Sequence, residues 1–396
     1  MKKVEEQEKQ EELVSLQKIT ENTEISKTTF NTPRFTQLLR MSGAILKNRI
    51  SFKNPLMLMH SVTEACNAKC PYCVFRHGKG RPNEMSLDEI SSLYKEAEKL
   101  SMQYVHIWGG EPLIHPRISQ ILTLAKESRL ITGLVTNGAF LRKRADDIIP
   151  KLDRLYISLD YPGPHHNTLR ETPGLYEATI EGVKYIRSKW KDQPIVVSFT
   201  LMKDNADAIV EMAALCSEIG ARLYVNPMRE TSNSDSDQIS ILQNKEVFEV
   251  NNSDRIIKWT EQALIWEQLI QLKRQGYPIQ NSMYYMKMLA KTGKPPTYKC
   301  HWPKIAIGIE STGDIVDCQR WGNPISNVRE QSLKDIVQLP RMNELYGKCG
   351  ETCNKCVSPA RVEPSKFWDL HVGMILQIMQ SMVFGASAPK KDTMSR

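Results

Sequence analysis

Cys66-Asn67-Ala68-Lys69-Cys70-Pro71-Tyr72-Cys73 follows directly on the apolar run Leu56 to Val62. The spacing C-x3-C-x2-C puts three thiolates in one tight loop at the end of a predicted first strand, and leaves a fourth metal position without a protein ligand. A closed structural zinc site asks for that fourth ligand, whereas an iron-sulfur cluster with one unligated iron takes an external one. Outward from the loop, short apolar runs recur at Tyr104 to Trp108, Ile131 to Val135, Arg154 to Leu159, Ile195 to Leu201 and Arg222 to Val225. Helical patterns separate them, for example at Ser86 to Leu100, Tyr176 to Lys189 and Asp207 to Ile219. Strands alternating with helices predict an α/β protein with a parallel sheet and crossover helices, and functional groups then gather at the C-terminal strand ends.

The ends of those runs carry chemistry. Gly109-Gly110-Glu111-Pro112 closes the second, Thr136-Asn137-Gly138 the third, and Ser158 and Asp160 the fourth, with His165-His166-Asn167-Thr168-Leu169-Arg170 beyond. In this order, and with the aromatic Tyr72 just before the third cysteine, the sequence resembles the radical S-adenosylmethionine (SAM) enzymes. The resemblance implies a partial (β/α)6 TIM-like barrel over residues 56–228 and a [4Fe–4S] cluster on Cys66, Cys70 and Cys73. It further implies that Tyr72, Gly109, Gly110, Glu111, Pro112, Ser158, Asp160 and Arg170 surround SAM. Glu111 and backbone carbonyls would receive the N–H donors of the methionine amino group, Ser158 and Asp160 would contact the ribose and its neighbours, and Arg170 would pair with the SAM carboxylate. Thr136-Asn137-Gly138 would help line the site. Taken singly, Asp160 and Thr136 suit a cap or turn role equally well.

Further on, the polar stretch Arg229 to Asp254 reads as a connection, and a helix from about Ile256 to Gln275 is predicted to end at Gly276. Ile305, Ile307 and Ile309 alternate with small residues, Ser311-Thr312-Gly313-Asp314 has turn chemistry, and Ile315 to Asp317 returns, which predicts a β-hairpin flanked by Cys300 and Cys318. With Cys349, Cys353 and Cys356 this part resembles the SPASM/Twitch extension that holds auxiliary clusters. Five cysteines after residue 299 complete one four-thiolate cluster and not two. The resemblance implies a second, auxiliary [4Fe–4S] cluster on Cys300, Cys318, Cys353 and Cys356, with Cys349 outside the pattern; four thiolates suit a structural zinc as well. Cys216, on an apolar helical pattern, reads as core. His60, His106, His115, His165, His166 and His301 are too scattered for a metal site. Tyr284, Tyr285, Trp302 and Trp321 read as packing residues, with a cavity-lining role as the alternative.

Composition excludes several classes. A 396-residue chain with 41% hydrophobic and 25% charged residues is neither disordered throughout nor a coiled coil, and a net charge of +8 is too weak for a dedicated nucleic-acid binder. Six organisational units are expected: a charged tail (1–24), a basic amphipathic segment (25–55), the partial barrel (56–228), a helical connection (229–299), the Twitch-type β-hairpin/helix extension (300–360), and an apolar amphipathic helix and tail (361–396). No apolar stretch follows Met1-Lys2-Lys3 in the manner of a signal peptide, and clustered cysteines suit a reducing compartment, so a cytoplasmic location is expected.

The resemblance implies reductive cleavage of SAM and hydrogen-atom abstraction from an unactivated carbon, with a low-potential donor such as flavodoxin or ferredoxin. The 39 residues from Ile25 to Thr63 contain no acid, and Phe367 to Phe384 is strongly apolar. Read as interfacial helices, these segments place the enzyme at the inner face of the membrane with a lipid or lipid-linked substrate. Read as elements covering the barrel, they leave a soluble enzyme acting on a peptide or a small alcohol. A non-enzymatic cluster protein is a third reading, but it leaves the GGEP turn and Arg170 without a purpose.

Overall fold

The computed structural model describes residues 54–76, 78–228, 253–292, 298–316, 324–340, 342 and 356–369. The charged tail, the basic segment, the connection up to 252, most of the apolar segment 367–384, and Cys318, Trp321, Cys349 and Cys353 lie outside them.

All six expected strands form: β1 (Met57–Ser61), β2 (Tyr104–Trp108), β3 (Ile131–Thr136), β4 (Arg154–Ser158), β5 (Ile195–Leu201) and β6 (Arg222–Pro227). They pair in parallel in sequential order. The crossovers are α1 (Leu87–Lys99), α2 (Ile118–Glu127), α3 (Leu141–Ile148), α4 (Leu175–Lys189) and α5 (Ile209–Glu218). The start of α1 is written in its sequence: Ser86 Oγ accepts from the Glu89 amide, and the Glu89 carboxylate accepts from the Ser86 amide, a capping box. Its Ile90, Leu93, Tyr94 and Ala97 fall on one face and are buried. They lie against the fully buried strand residues Leu58, Val105 and Ile107. Each such side chain contributes about 1.5–3 kcal/mol by leaving water.

The opposite face of the strands differs. Tyr104, His106, Arg154, Tyr156, Arg222 and Tyr224 alternate with the fully buried positions and are only half-buried. Their rings meet across strands, His106 on Tyr156 at 4.9 Å between centroids. This is the concave face of an open, barrel-like sheet.

The expected hairpin exists as β7 (Ala306–Ile309) and β8 (Asp314–Val316), followed by β9 (Pro324–Asn327). It does not make a sheet of its own. β7 pairs in parallel with β1, from Met57 opposite Ala306 to His60 opposite Ile309, so one open sheet runs β6-β5-β4-β3-β2-β1-β7-β8-β9. The outer edge of β6 is covered too. Leu223 donates to the carbonyl of Pro278 (2.9 Å), and the buried Asn281 side chain accepts from Val225 N (2.8 Å) and donates to Val225 O (3.0 Å). These bonds satisfy backbone groups that an edge strand would leave open.

After β6 come α6 (Trp259–Arg274), α7 (Met283–Thr292) and, past the hairpin, α8 (Pro359–Trp368). Trp266 of α6 packs edge-on against Tyr285 of α7, whose hydroxyl donates to the carbonyl of Val357 (2.5 Å). Gly276, with φ +98°, ends the α6 region as its sequence predicts. α8 buries Val362 and Trp368, and Asp369 just past its end accepts from His301 Nε2 (2.6 Å). The first residues of the apolar C-terminal segment are therefore packed on the protein itself.

Candidate functional site

The cysteine loop leaves the C-terminal end of β1 and is laid against the GGEP turn. Gly110 N donates to Thr63 O (2.8 Å) and Glu111 N to Ala65 O (2.7 Å). A Cβ on Gly110 would stand 2.1 Å from Ala65 O, and Gly109, at φ +139°, has Thr63 O 2.3 Å from where its Cβ would be. Only glycine allows this approach. Cys66 N donates to Gly78 O (3.0 Å), and Phe75 sits edge-on to Trp108 at 5.8 Å. Glu84, which no sequence motif flagged, accepts from Thr63 Oγ1 (2.9 Å) and from the amides of Glu64 and Arg81, tying the loop's entry to its exit.

Cys66, Cys70 and Cys73 are free thiols. Burial pushes Cys66 up to about 12, with Glu111 and the other two thiols adding to it; burial followed by Cys70 pushes Cys73 up to about 11. Cys70 is raised by burial, against the pull of Arg170. Three mutually sensitive thiols in one loop suit a metal group that binds them as thiolates and releases their protons. Three thiolates with no fourth protein ligand beside them in the loop suit an iron-sulfur cluster that takes an external ligand at one iron better than a closed four-ligand zinc site.

Glu111 is 1% exposed. Its Oε1 accepts from Leu113 N (2.9 Å) and Thr136 Oγ1 (2.7 Å), its Oε2 from Asn137 N (2.7 Å). A carboxylate has about four acceptor positions, so one remains for an incoming N–H donor. Burial outweighs these bonds and holds Glu111 up at about 7. Asn137 Nδ2 also donates to Asn67 Oδ1 in the cysteine loop (2.9 Å), so the Thr136-Asn137-Gly138 turn serves both neighbours.

Tyr72, Asp160 and Arg170 come together, but on each other. Asp160 Oδ2 accepts from Tyr72 Oη (2.6 Å), Arg170 Nε (2.8 Å) and Arg170 Nη2 (2.6 Å), and Oδ1 accepts from Thr200 N (2.8 Å). Arg170 Nη1 points to Cys70 Sγ at 3.9 Å. Burial raises Asp160, yet Arg170, His166 and the Tyr72 hydroxyl outweigh it and the carboxyl stays ionised below its ordinary range. Arg76 pairs with Glu171 (2.6 Å), a further tie from the loop to the region after β4. Ser158 stands apart, half-buried on the concave face and in register with Ser198. Asn205 was invisible in sequence: it is fully buried and its Nδ2 donates to Asp160 O (2.9 Å) and Thr200 O (2.9 Å).

Cys300 and Cys356, the described members of the expected auxiliary set, are both buried. Cys216 is fully buried in the core, as expected; Tyr285 is fully buried and Trp302 buried, and both pack into the same core. His60 is buried with Nδ1 2.8 Å from Tyr94 Oη.

The sequence matches the family model described as the Radical SAM superfamily over residues 60–216, and that of the SPASM iron-sulfur cluster-binding domain over residues 300–357. It is 26% identical over 326 residues to the AdoMet-dependent heme synthase of Methanosarcina barkeri, spanning 75% of this chain and 88% of that protein. It is 26% identical over 178 residues to the mycofactocin maturase MftC of Mycolicibacterium smegmatis, under half of either chain (44% and 45%). Among solved structures, Streptococcus suis SuiB bound to S-adenosylmethionine has the same fold, with a TM-score of 0.58 and 16% identity over 86% of this chain and 77% of that one. The chain therefore belongs to the radical SAM superfamily, as an enzyme that uses SAM, a SAM-binding [4Fe–4S] cluster and an auxiliary iron-sulfur cluster in its SPASM domain.

Proposed function

We propose that this enzyme cleaves SAM reductively at the Cys66–Cys73 loop and removes a hydrogen atom from a peptide or small-molecule substrate held in the concave face of the barrel. When bound, the cluster and SAM supply a 5′-deoxyadenosyl radical from one electron. The chain's part is to bind and to exclude. Cys66, Cys70 and Cys73 hold the cluster; Glu111, with its remaining acceptor position, takes an N–H of the SAM amino group; the Gly109-Gly110 backbone allows close approach. Cys300, Cys318, Cys353 and Cys356 hold the auxiliary cluster. A low-potential donor such as flavodoxin or ferredoxin supplies the electron, and the cytoplasm is the compartment.

One observation carries the substrate reading: across β2, β4 and β6 the concave strand face is polar and aromatic, with Met57, Met59 and Val135 as its apolar part. It offers His106, Tyr156 and Tyr224 with the guanidinium groups of Arg154 and Arg222, and no strand position on that face carries an acid. Such a surface orients a polar or anionic group by hydrogen bonds and is a poor lining for an acyl chain. The relatives and neighbours agree with this, since one is named a heme synthase, another a mycofactocin maturase, and SuiB is also known bound to a precursor peptide. The lipid reading finds no support among these relatives, and most of the two segments that suggested it lie outside the described residues. No helix among the described residues is long and apolar enough to cross a membrane, and the start of the apolar C-terminal segment packs on the protein.

The test is anaerobic purification with iron and sulfide quantitation, then a search for deuterium transfer into 5′-deoxyadenosine from labelled peptide, tetrapyrrole and lipid pools. Transfer from a polar pool is the expected result; transfer from lipids alone would overturn the substrate reading.

A further inference from the structure

The Asp160–Arg170 pair has a consequence that a carboxylate-binding role for Arg170 does not use. Two of the guanidinium nitrogens, Nε and Nη2, are spent on Asp160, while the third faces the sulfur of Cys70. Asp160 in turn is held rigidly: it takes Thr200 N on its other oxygen, its own amide donates to His166 Nδ1 (3.0 Å), and its carbonyl accepts from Asn205. Both charges are buried, Asp160 at 0% and Arg170 at 8% exposure, so solvent and salt screen them little. The positive end of this fixed dipole lies toward the cysteine loop. The negative end reaches the loop only through the neutral hydroxyl of Tyr72.

We propose that Asp160 and Arg170 form a buried charge pair that sets the reduction potential of the SAM-binding cluster, Arg170 raising it through Cys70 and Asp160 opposing it. This rests on the reading that Cys66, Cys70 and Cys73 hold that cluster. The reason is general: taking up an electron makes the cluster more negative, and potential follows net charge and hydrogen bonding at the ligand sulfurs. Arg170 Nη1 meets the sulfur directly, whereas the Asp160 carboxylate's hydrogen bonds go to Tyr72, Arg170 and Thr200, so the pair together favours the reduced state. Tyr72 Oη carries no charge and acts as the tether that keeps the loop against the pair. All three are positioning residues.

The sign of the effect separates this from simple damage. EPR-monitored redox titration of the reconstituted holoenzyme follows the signal that changes when SAM is added, and the SAM-insensitive auxiliary signal serves as internal control. Arg170→Gln should lower the potential, and Asp160→Asn should raise it. Each shift should reach at least tenfold in the one-electron equilibrium, about 59 mV, with the auxiliary signal unmoved. Tyr72→Phe should leave the potential in place and speed loss of iron to a chelator. If Asp160→Asn fails to load a cluster, Arg170→Lys decides, because it keeps the charge while losing the forked geometry. The proposal then requires its potential to lie above that of Arg170→Gln. Shifts in the same direction for Arg170→Gln and Asp160→Asn, or equal potentials for the Lys and Gln variants, would overturn it. A wild-type enzyme with no SAM-sensitive signal would instead overturn the ligand assignment beneath it.

Discussion

Glu111 should make the protein less stable as pH rises, and replacing it should remove that slope. Its carboxyl is buried against three donors, and burial holds it at about 7 where an exposed glutamate has 4.5. A carboxyl whose folded value lies above its unfolded value keeps its proton in the folded state after the unfolded chain has lost it. The folded protein then binds more protons between the two values, so stability falls as pH climbs from about 4.5 to about 7 and is level beyond. At about 1.4 kcal/mol for each pH unit between them, the loss is about 3 kcal/mol. Glu111→Gln stays neutral throughout. Its amide nitrogen meets the donor N–H of Asn137, which adds a roughly constant cost of about 1–3 kcal/mol for the unsatisfied group. The assay is urea unfolding of both metal-free proteins from pH 4.5 to 8, read as the difference between them. All other groups titrate in both, so the difference isolates Glu111. It should move by about 3 kcal/mol in favour of the glutamine variant as pH rises. A difference that stays flat would refute the burial argument and, with it, the claim that an amino group arriving at this carboxylate meets a desolvated acceptor.

Asn281→Ala leaves both the N–H and C=O of Val225 without the partners that Asn281 supplies and should cost about 2–6 kcal/mol in urea unfolding, since each orphaned group costs about 1–3 kcal/mol. Gly110→Ala forces a methyl group onto the Ala65 carbonyl and should lower iron bound per chain after reconstitution; the overpacking costs about 1–3 kcal/mol. Replacing Cys66, Cys70 and Cys73 together by Ala should abolish reductive SAM cleavage, read as 5′-deoxyadenosine formed with dithionite, while the auxiliary cluster keeps its absorption.

How far the sequence reached depends on range. The strands were legible because each is a short apolar run and the helices between them are amphipathic. A signal for the polar concave face was also present: Tyr104, His106 and Trp108 alternate with Val105 and Ile107, and Arg222, Tyr224 and Asn226 with Leu223 and Val225. A parallel strand buried on both faces reads as a continuous apolar run, so this alternation marks an accessible second face. The pairing of β7 with β1 was not legible, because nothing local in Ala306–Ile309 specifies a partner so far back in the chain. The same holds for Asn281, whose side chain mimics a strand's backbone. At the site, motif order identified Asp160 and Arg170, but their pairing is a property of three-dimensional proximity that residue type alone does not encode.

The parallel pairing of β7 with β1 also orders the cysteine loop and Cys300 along the barrel. The cysteine loop leaves the C-terminal end of β1. Cys300 lies just before β7, at the opposite end, where Leu56 N donates to Ile305 O (2.8 Å). The far turn of the hairpin touches the other end: Met85 N donates to Ser311 O (2.8 Å) next to the exit of the cysteine loop. A five-residue strand spans about 17 Å at about 3.3 Å per residue, so Cys300 and the cysteine loop are separated by roughly the depth of the sheet. On the proposed ligand assignment, a substrate on the concave face lies between the end where SAM is cleaved and the end where the auxiliary cluster sits. That geometry disfavours any sharing of SAM between the clusters. It suits an auxiliary cluster that meets the substrate, or exchanges an electron with it, from the side opposite the radical.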